Sequence, residues 1–363
     1  GQVDVIRALA ELGANVNTPN EGGRTPVCIA TQVGEVNAIR VLVELGANIH
    51  APDEYGFTAV HIAACTDDVG MIRALVELGA SVNTPTEDDC TPLYIAAEEG
   101  KVGAIKALVE LGGNVNTPRD NGRTPVYIAS QMGEVDAIRA LAELGANVQT
   151  PSEDGSTPVH IAAQGGIVDA IKALVELGGN VNSPMDDGRT AVYIAAQMGE
   201  VDAFQILAEL EASVNTPIND GRTPVFIAAQ MGHVDTIRAL VSLGANVNTP
   251  DIDSCTPVFY ACLEGIASVI SVLADLGADI HTSNEDGISS VHVATYSGEV
   301  DAIRALAELG ANVNTPTEEG RTPVFIASEM AMLDAIKALI GMRADIEVGS
   351  NDCSSPLEAV LRD

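Results

Sequence analysis

A twelve-residue stretch, Gly122-Arg-Thr-Pro-Val-Tyr-Ile-Ala-Ser-Gln-Met-Gly133, returns in altered copies every 33 residues through the whole chain. Its Thr-Pro start falls at Thr25, Thr58, Thr91, Thr124, Thr157, Thr190, Thr223, Thr256, Ser289, Thr322 and Ser355, with no slip in spacing. A fixed period of this size constrains the fold more than length or composition do. Each copy must be one small unit that completes its core on its neighbours.

The period that starts at Thr124 shows what the unit is. A threonine before the apolar run can accept an orphan backbone N–H as a helix N-cap. Pro125 then occupies the first helical position, where its missing N–H is not needed. Val126, Ile128 and Ala129 give a short apolar face, and Gly133 suits the left-handed stop. A second helix follows, since Val135, Ile138, Leu141 and Leu144 recur at helical spacing. Gly145 ends it. The run Asn147 to Gly155 is dense in turn formers. The expected unit is therefore helix, turn, helix and polar finger. Helices of about 8–10 residues are marginal alone, so they must pack on neighbouring copies.

This pattern resembles the ankyrin repeat, a 33-residue unit whose first helix opens with Thr-Pro-Leu-His-x-Ala. The chain writes that opening as Thr157-Pro-Val-His-Ile-Ala162 and Thr91-Pro-Leu-Tyr-Ile-Ala96, and closes units with Leu-Gly-Ala-Asn-Val-Asn, as at Leu243 to Asn248. The resemblance covers essentially the whole chain. It implies an all-α solenoid of helix-turn-helix units with β-turn fingers. There are departures. The histidine position holds His61, His160 and His292 but elsewhere Tyr94, Tyr127, Tyr193, Phe226, Phe259, Phe325 and Cys28. The aromatic residues there read as a stacked core ladder.

The boundaries follow the period. Residues 1–24 are a second helix and finger without their first helix, residues 25–354 are ten full units, and residues 355–363 begin a terminal or capping unit. Because the chain opens in the phase of Gly133, it reads as a fragment of a longer array, with Val3, Ile6 and Leu9 partly uncovered. The copies at Thr58, Thr256 and Ser289 diverge most. Asp67 and Ala331 stand where a helix-ending glycine is expected.

The formal charge of −33 argues against nucleic acid and anionic membrane surfaces as direct partners. Basic residues share one phase of the second helix, from Arg7, Arg40 and Arg73 to Lys337, with acids four residues on in seven of nine cases. They are expected to pair within the helix. Six cysteines, Cys28, Cys65, Cys90, Cys255, Cys262 and Cys353, make no C-x-x-C motif. Their scatter suits reduced thiols and a cytoplasmic setting. No cofactor and no metal site is expected.

Three constellations stand out. The fingers carry acids, among them Glu87-Asp88-Asp89, Glu153-Asp154, Asp186-Asp187 and Glu318-Glu319. These are either a negative rail for a basic partner or simple turn chemistry. A pair before the end of the first helix reads Gln131-Met132, Gln164-Gly165, Gln197-Met198, Gln230-Met231 and Glu329-Met330. In ankyrin-like proteins this place faces the concave groove, and methionine is adaptable enough to bind there, or to fill gaps between helices. Tyr55 and Phe57 share one finger, and Tyr296 holds the groove-facing position of its own unit. Aromatic residues are frequent interface anchors, although these can equally pack on a neighbouring finger. No phosphate loop, H-E-x-x-H or G-x-S-x-G motif is present, so no catalytic residue is assigned. The resemblance implies a non-catalytic module that binds a protein partner through the groove and finger tips; the rail reading of the finger acids adds a partner of basic character. The alternative is a structural spacer or assembly scaffold. A targeting arm for a catalytic domain elsewhere is a third reading.

Overall fold

The computed structural model describes residues 2–351 and 355–360. Cys353 and the end of the final unit, residues 361–363, lie outside the described residues. Among the described residues there are 22 helices and no strand, with one isolated antiparallel bridge between Ser283 and Ser289. Between the ten-residue opening helix Gln2–Glu11 and the five-residue closing helix Pro356–Val360, first helices run seven or eight residues, such as Pro125–Met132, and second helices nine, such as Val135–Glu143. Among the described residues no helix is long and apolar enough to cross a membrane.

The caps fall where the side chains put them. The Thr124 hydroxyl accepts from the Tyr127 N–H, and Gly133 takes a left-handed conformation at φ 78° to stop the helix. Where histidine replaces tyrosine, it caps more fully. The Thr58 N–H donates to His61 Nδ1 at 3.1 Å, and His61 Nε2 lies 3.0 Å from the Cys90 carbonyl of the next unit. A carbonyl only accepts, so Nε2 carries the proton and Nδ1 is the acceptor. His292 repeats the arrangement with Ser289 and the Arg321 carbonyl. The histidine bond of the family is therefore kept at these two positions. Tyr127 makes its own link to the next unit, from its hydroxyl to Ser156 Oγ at 3.3 Å.

Asp67 and Ala331 hold the left-handed turn without glycine, at φ 57° and 55°. That conformation costs a residue with a Cβ about 1–2 kcal/mol. Asp67 offsets part of it, since its carboxylate accepts from the Ala104 N–H at 2.5 Å, near the start of the next second helix. There it also meets the positive end of the helix dipole.

The chain falls into two compact units, Gly1–Asp186 and Asp187–Asp363. In each, first helices pack on first helices and second on second, while the first helices from Pro26–Gln32 to Pro323–Glu329 also pack on their own second helices. Small residues let the backbones approach. In the first unit Ala96, Ala97, Ala129 and Ala137 are fully buried beside Ile105, Leu108, Ile138 and Leu141. In the second, Ala195, Ala196, Ala228 and Ala229 play that part beside Phe204, Ile237, Leu240 and Leu273. The opening helix, Gln2–Glu11, buries none of its residues. Ile6, Ile29, Val33 and Leu42 line an apolar hollow of about 280 Å³ beside it.

Two expectations are corrected. Tyr94, Tyr127, Tyr193, Phe226 and Phe325 are buried, but Phe259 is only half-buried. The ring contacts present do not join successive members of this position into a ladder. Phe226 instead meets Tyr260 at 4.7 Å, one residue out of phase. The second correction concerns charge. Arg7, Arg40, Arg73 and Arg139 pair with Glu44, Glu77, Glu110 and Glu176 at 2.5–3.0 Å. These partners lie in the following unit, 37 residues on, rather than four. An acid C-terminal to a base is the weaker i,i+4 order, because helical side chains lean toward the N-terminus. The adjacent second helix brings a carboxylate of the next unit within reach instead. Both members are exposed, so each pair contributes only about 0–1 kcal/mol.

Candidate functional site

The fingers and the ends of the first helices share one face. A bond between residues eight apart places them there. Arg24 donates to Gln32 at 3.1 Å, Arg222 to Gln230 at 3.4 Å, and Arg321 to Glu329 at 3.4 Å. Each arginine is the finger residue just before the N-cap, and each acceptor ends the first helix. The guanidinium therefore lies along the helix it precedes. Arg123 and Arg119 take the same side, over the Tyr127 and Tyr94 rings at 5.3 and 5.5 Å.

Neighbouring fingers are joined through their backbones. In the first unit the Glu153 N–H donates to Asn121 O at 3.0 Å; in the second, the Ile252 N–H donates to Asp220 O at 2.9 Å. The approach requires glycine at the finger tip. A Cβ on Gly122, which sits at φ 77°, would lie 2.9 Å from the Glu153 nitrogen. A second clamp lies between the second-helix ends. Asn248 Nδ2 donates to Gly277 O at 3.0 Å while its Oδ1 accepts from the Asp279 N–H at 2.8 Å. Asn17, Asn116, Asn215 and Asn314 do the same.

Several finger acids are turn-formers. Asp53 accepts from the Tyr55 and Phe57 N–H groups, and Asp251 from those of Asp253 and Cys255. The bond from Ser152 Oγ lowers the Asp154 pKa, and that from Arg222 lowers Asp220. Others face each other. Asp89 is held above the ordinary carboxylate range, first by sharing a hydrogen bond with Asp120 and then by that group's charge. The acids are thus part turn chemistry and part crowded surface charge.

The sequence candidates are placed as follows. Met132, Met198 and Met231 are 53%, 48% and 45% exposed, so about half of each side chain reaches solvent. Gln131, beside Met132, and Gln164, beside Gly165, are exposed, while Gln197 and Gln230 are half-buried. Tyr55 is 65% exposed at its finger tip. Phe57 is turned inward and half-buried, with its ring 5.4 Å from that of His61. Tyr296 is half-buried and helps line a hollow of about 230 Å³ with Asp286, Ile288, Thr317, Glu318 and Glu319. Sequence reasoning passed over Glu98 and Glu99, which replace the Gln-Met pair in the Thr91 unit. Burial and then Glu99 raise the Glu98 pKa. It also missed the Arg–Gln bonds, which the recurrence of arginine before Thr25, Thr223 and Thr322 could have suggested. Among the described residues no group of three or more His, Cys, Asp or Glu side chains is arranged to hold a metal ion.

Helix pairs, capped fingers and a 33-residue period define a repeat protein of the ankyrin class. The family described as ankyrin repeats (3 copies) matches residues 1–86, 84–152, 144–218, 213–284 and 276–352, and the chain belongs to that family. The solved structures similar to it include the crystal structure of the human ASB11 ankyrin repeat domain. That domain is 27% identical with a TM-score of 0.55, over 61% of this chain and 99% of that one. No curated protein matches the chain. Ankyrin repeats are generally protein–protein interaction modules.

Proposed function

We propose that the chain is a non-catalytic module that binds a protein partner through the concave groove and the finger tips, in the cytoplasm. One observation carries the reading. Met132, Met198 and Met231 stand about half exposed at the same point of their repeats. In the second unit, the finger arginine of the Met231 repeat is already tied down, Arg222 to Gln230 and Asp220. A groove ordered before binding loses less side-chain freedom when a partner docks. The partner is of basic character, by the charge of −33. Direct binding to nucleic acid or to anionic membrane runs against the same charge. The spacer reading has its own support in the recurring asparagine clamps, which stiffen the stack whatever binds it.

The test is a pull-down with the wild-type chain and a Met132→Ser, Met198→Ser, Met231→Ser variant, with thermal unfolding measured on both. Partner recovery is expected to fall about tenfold or more, and stability to change little, since each site is exposed. Unchanged recovery would favour the spacer. A collapse in stability with recovery intact would make the methionines packing residues.

A further inference from the structure

The second unit presents an apolar surface that changes in charge along its length. Met198 and Met231 begin it, each one position past or at the end of its first helix; further along, Leu263 in the phase of Gln230 and Met330 in the phase of Met231 are exposed apolar side chains, with the exposed acid Glu264 in the methionine phase between them. At the Met198 and Met231 end the charges cancel locally. Arg189 pairs with Asp187 at 2.6 Å and Arg222 with Asp220 at 2.5 Å. Further along they do not cancel. The fingers at 284–287 and 317–320 bring Asp286, Glu318 and Glu319 around Tyr296 in the hollow of about 230 Å³. Arg321 is the cation at this end, and it is shared between Glu319 at 3.2 Å and Glu329 at 3.4 Å.

Resting on the proposed protein-binding role, we infer that the occupant is an amphipathic helical segment of a partner protein, apolar along the methionine end and carrying Lys or Arg at the Tyr296 end. The spacing supports a helix. Neighbouring helices in such a stack pack about 8–10 Å apart. Side chains seven apart on a partner helix are about 10.5 Å apart at 1.5 Å per residue. Anchors at i and i+7 therefore meet Met231 and Met198 in turn, as in other helix-in-groove recognition. Tyr296 lies two repeats beyond Met231, about 20 Å on, so the cation belongs roughly two heptads beyond the anchor that meets Met231. Charge complementarity fixes the direction. A Lys or Arg side chain entering the hollow gains two or three carboxylates and an aromatic wall. The reversed segment would set its charge against arginines that already have partners. Methionine suits such an occupant, since its flexible thioether moulds to different apolar side chains.

The experiment uses the full chain and three labelled synthetic peptides of about 22 residues, with binding read by fluorescence anisotropy at physiological salt. One has Leu at heptad spacing followed by Lys, one has Leu followed by Glu, and one has the same Lys content with Ser in place of Leu. The Leu/Lys peptide is expected to bind about tenfold or more tighter than the other two. Met198→Ser with Met231→Ser should reduce it to the level of the Lys/Ser peptide. Asp286→Asn with Glu318→Gln and Glu319→Gln should weaken it about tenfold. Asp301→Asn with Glu308→Gln, on an exposed second-helix face, should leave it unchanged. Equal binding of the Lys/Ser peptide, tighter binding of the Leu/Glu peptide, or an equal loss from the second-helix changes would overturn the inference. If native partner recovery falls in the methionine variant while the Leu/Lys peptide shows no preference, the binding role stands and this partner chemistry fails. If recovery is unchanged as well, both fail.

Discussion

Replacing Asn248 by alanine tests how the stack is held together. The side chain closes two bonds to the next repeat, to Gly277 O at 3.0 Å and from the Asp279 N–H at 2.8 Å. Both groups are exposed, so water replaces the lost partner and no buried orphan remains. Each bond is then worth about 0.5–1 kcal/mol, or about 1–2 kcal/mol for the pair. Long arrays need not unfold in one step, so the probe is local. Amide exchange at Asp279 and along the helix Ala267–Asp275 should speed up by about tenfold for each 1.4 kcal/mol lost. The chain contains its own control. His50 and His281 occupy the same phase, and among the described residues neither side chain makes this clamp. His281→Ala should therefore change exchange little, and His281→Asn should slow it at the neighbouring seam. If Asn248→Ala matches His281→Ala, the clamp contributes nothing and the seam is held by its other contacts.

Three further outcomes are expected. Burial lowers the His61 pKa to about 4, against the bonding of the Cys90 carbonyl and the charge of Asp53, which raise it. Between pH 6.5 and 4 the unfolded chain takes up a proton that the folded one refuses, so stability falls with pH across that window. The loss is on the order of 3 kcal/mol and should shrink in His61→Tyr, by acid unfolding of both; equal acid sensitivity would remove His61 as its source. The opening helix has no buried residue, whereas Val135–Glu143 buries Ala137, Ile138, Ala140 and Leu141, so amides from Val3 to Leu12 should exchange far faster than those from Val135 to Leu144; equal protection in a monomer would contradict this. Raising salt from about 0.01 to 0.15 M should stabilise the fold by screening the finger acids, and less so after Glu87, Asp88, Glu153, Asp154 and Asp187 are changed to Gln or Asn; an indifferent wild type would mean those charges are already compensated.

The helices were legible because their signals are local. Thr-Pro starts and glycine stops act within one turn of the backbone, and the 33-residue period repeats them many times. Left-handed Asp67 and Ala331 could also be read, since the period marks where the turn must fall. What links repeats was less legible. The Arg73–Glu110 pair looks like an Arg73–Glu77 pair to any reading confined to one helix, since both acids sit in the same phase. The fate of Phe57 was open for a similar reason. Its neighbour Tyr55 has the same local setting, and only the position of the His61 ring distinguishes the exposed aromatic residue from the half-buried one. The methionines could be placed on a face by analogy, but whether that face was covered depended on the fingers.

Photo-crosslinking tests the central claim most directly. A benzophenone amino acid is placed in turn at Met132, Met231 and Tyr55, and at Arg304 and Glu308 on a second-helix face, and each chain is irradiated in an extract of the cell it comes from. The account predicts that one and the same partner band appears from the Met132 and Met231 positions and is absent from Arg304 and Glu308. A band from the second-helix positions with none from the methionines would contradict it, and would leave the groove as an unused face of a spacer.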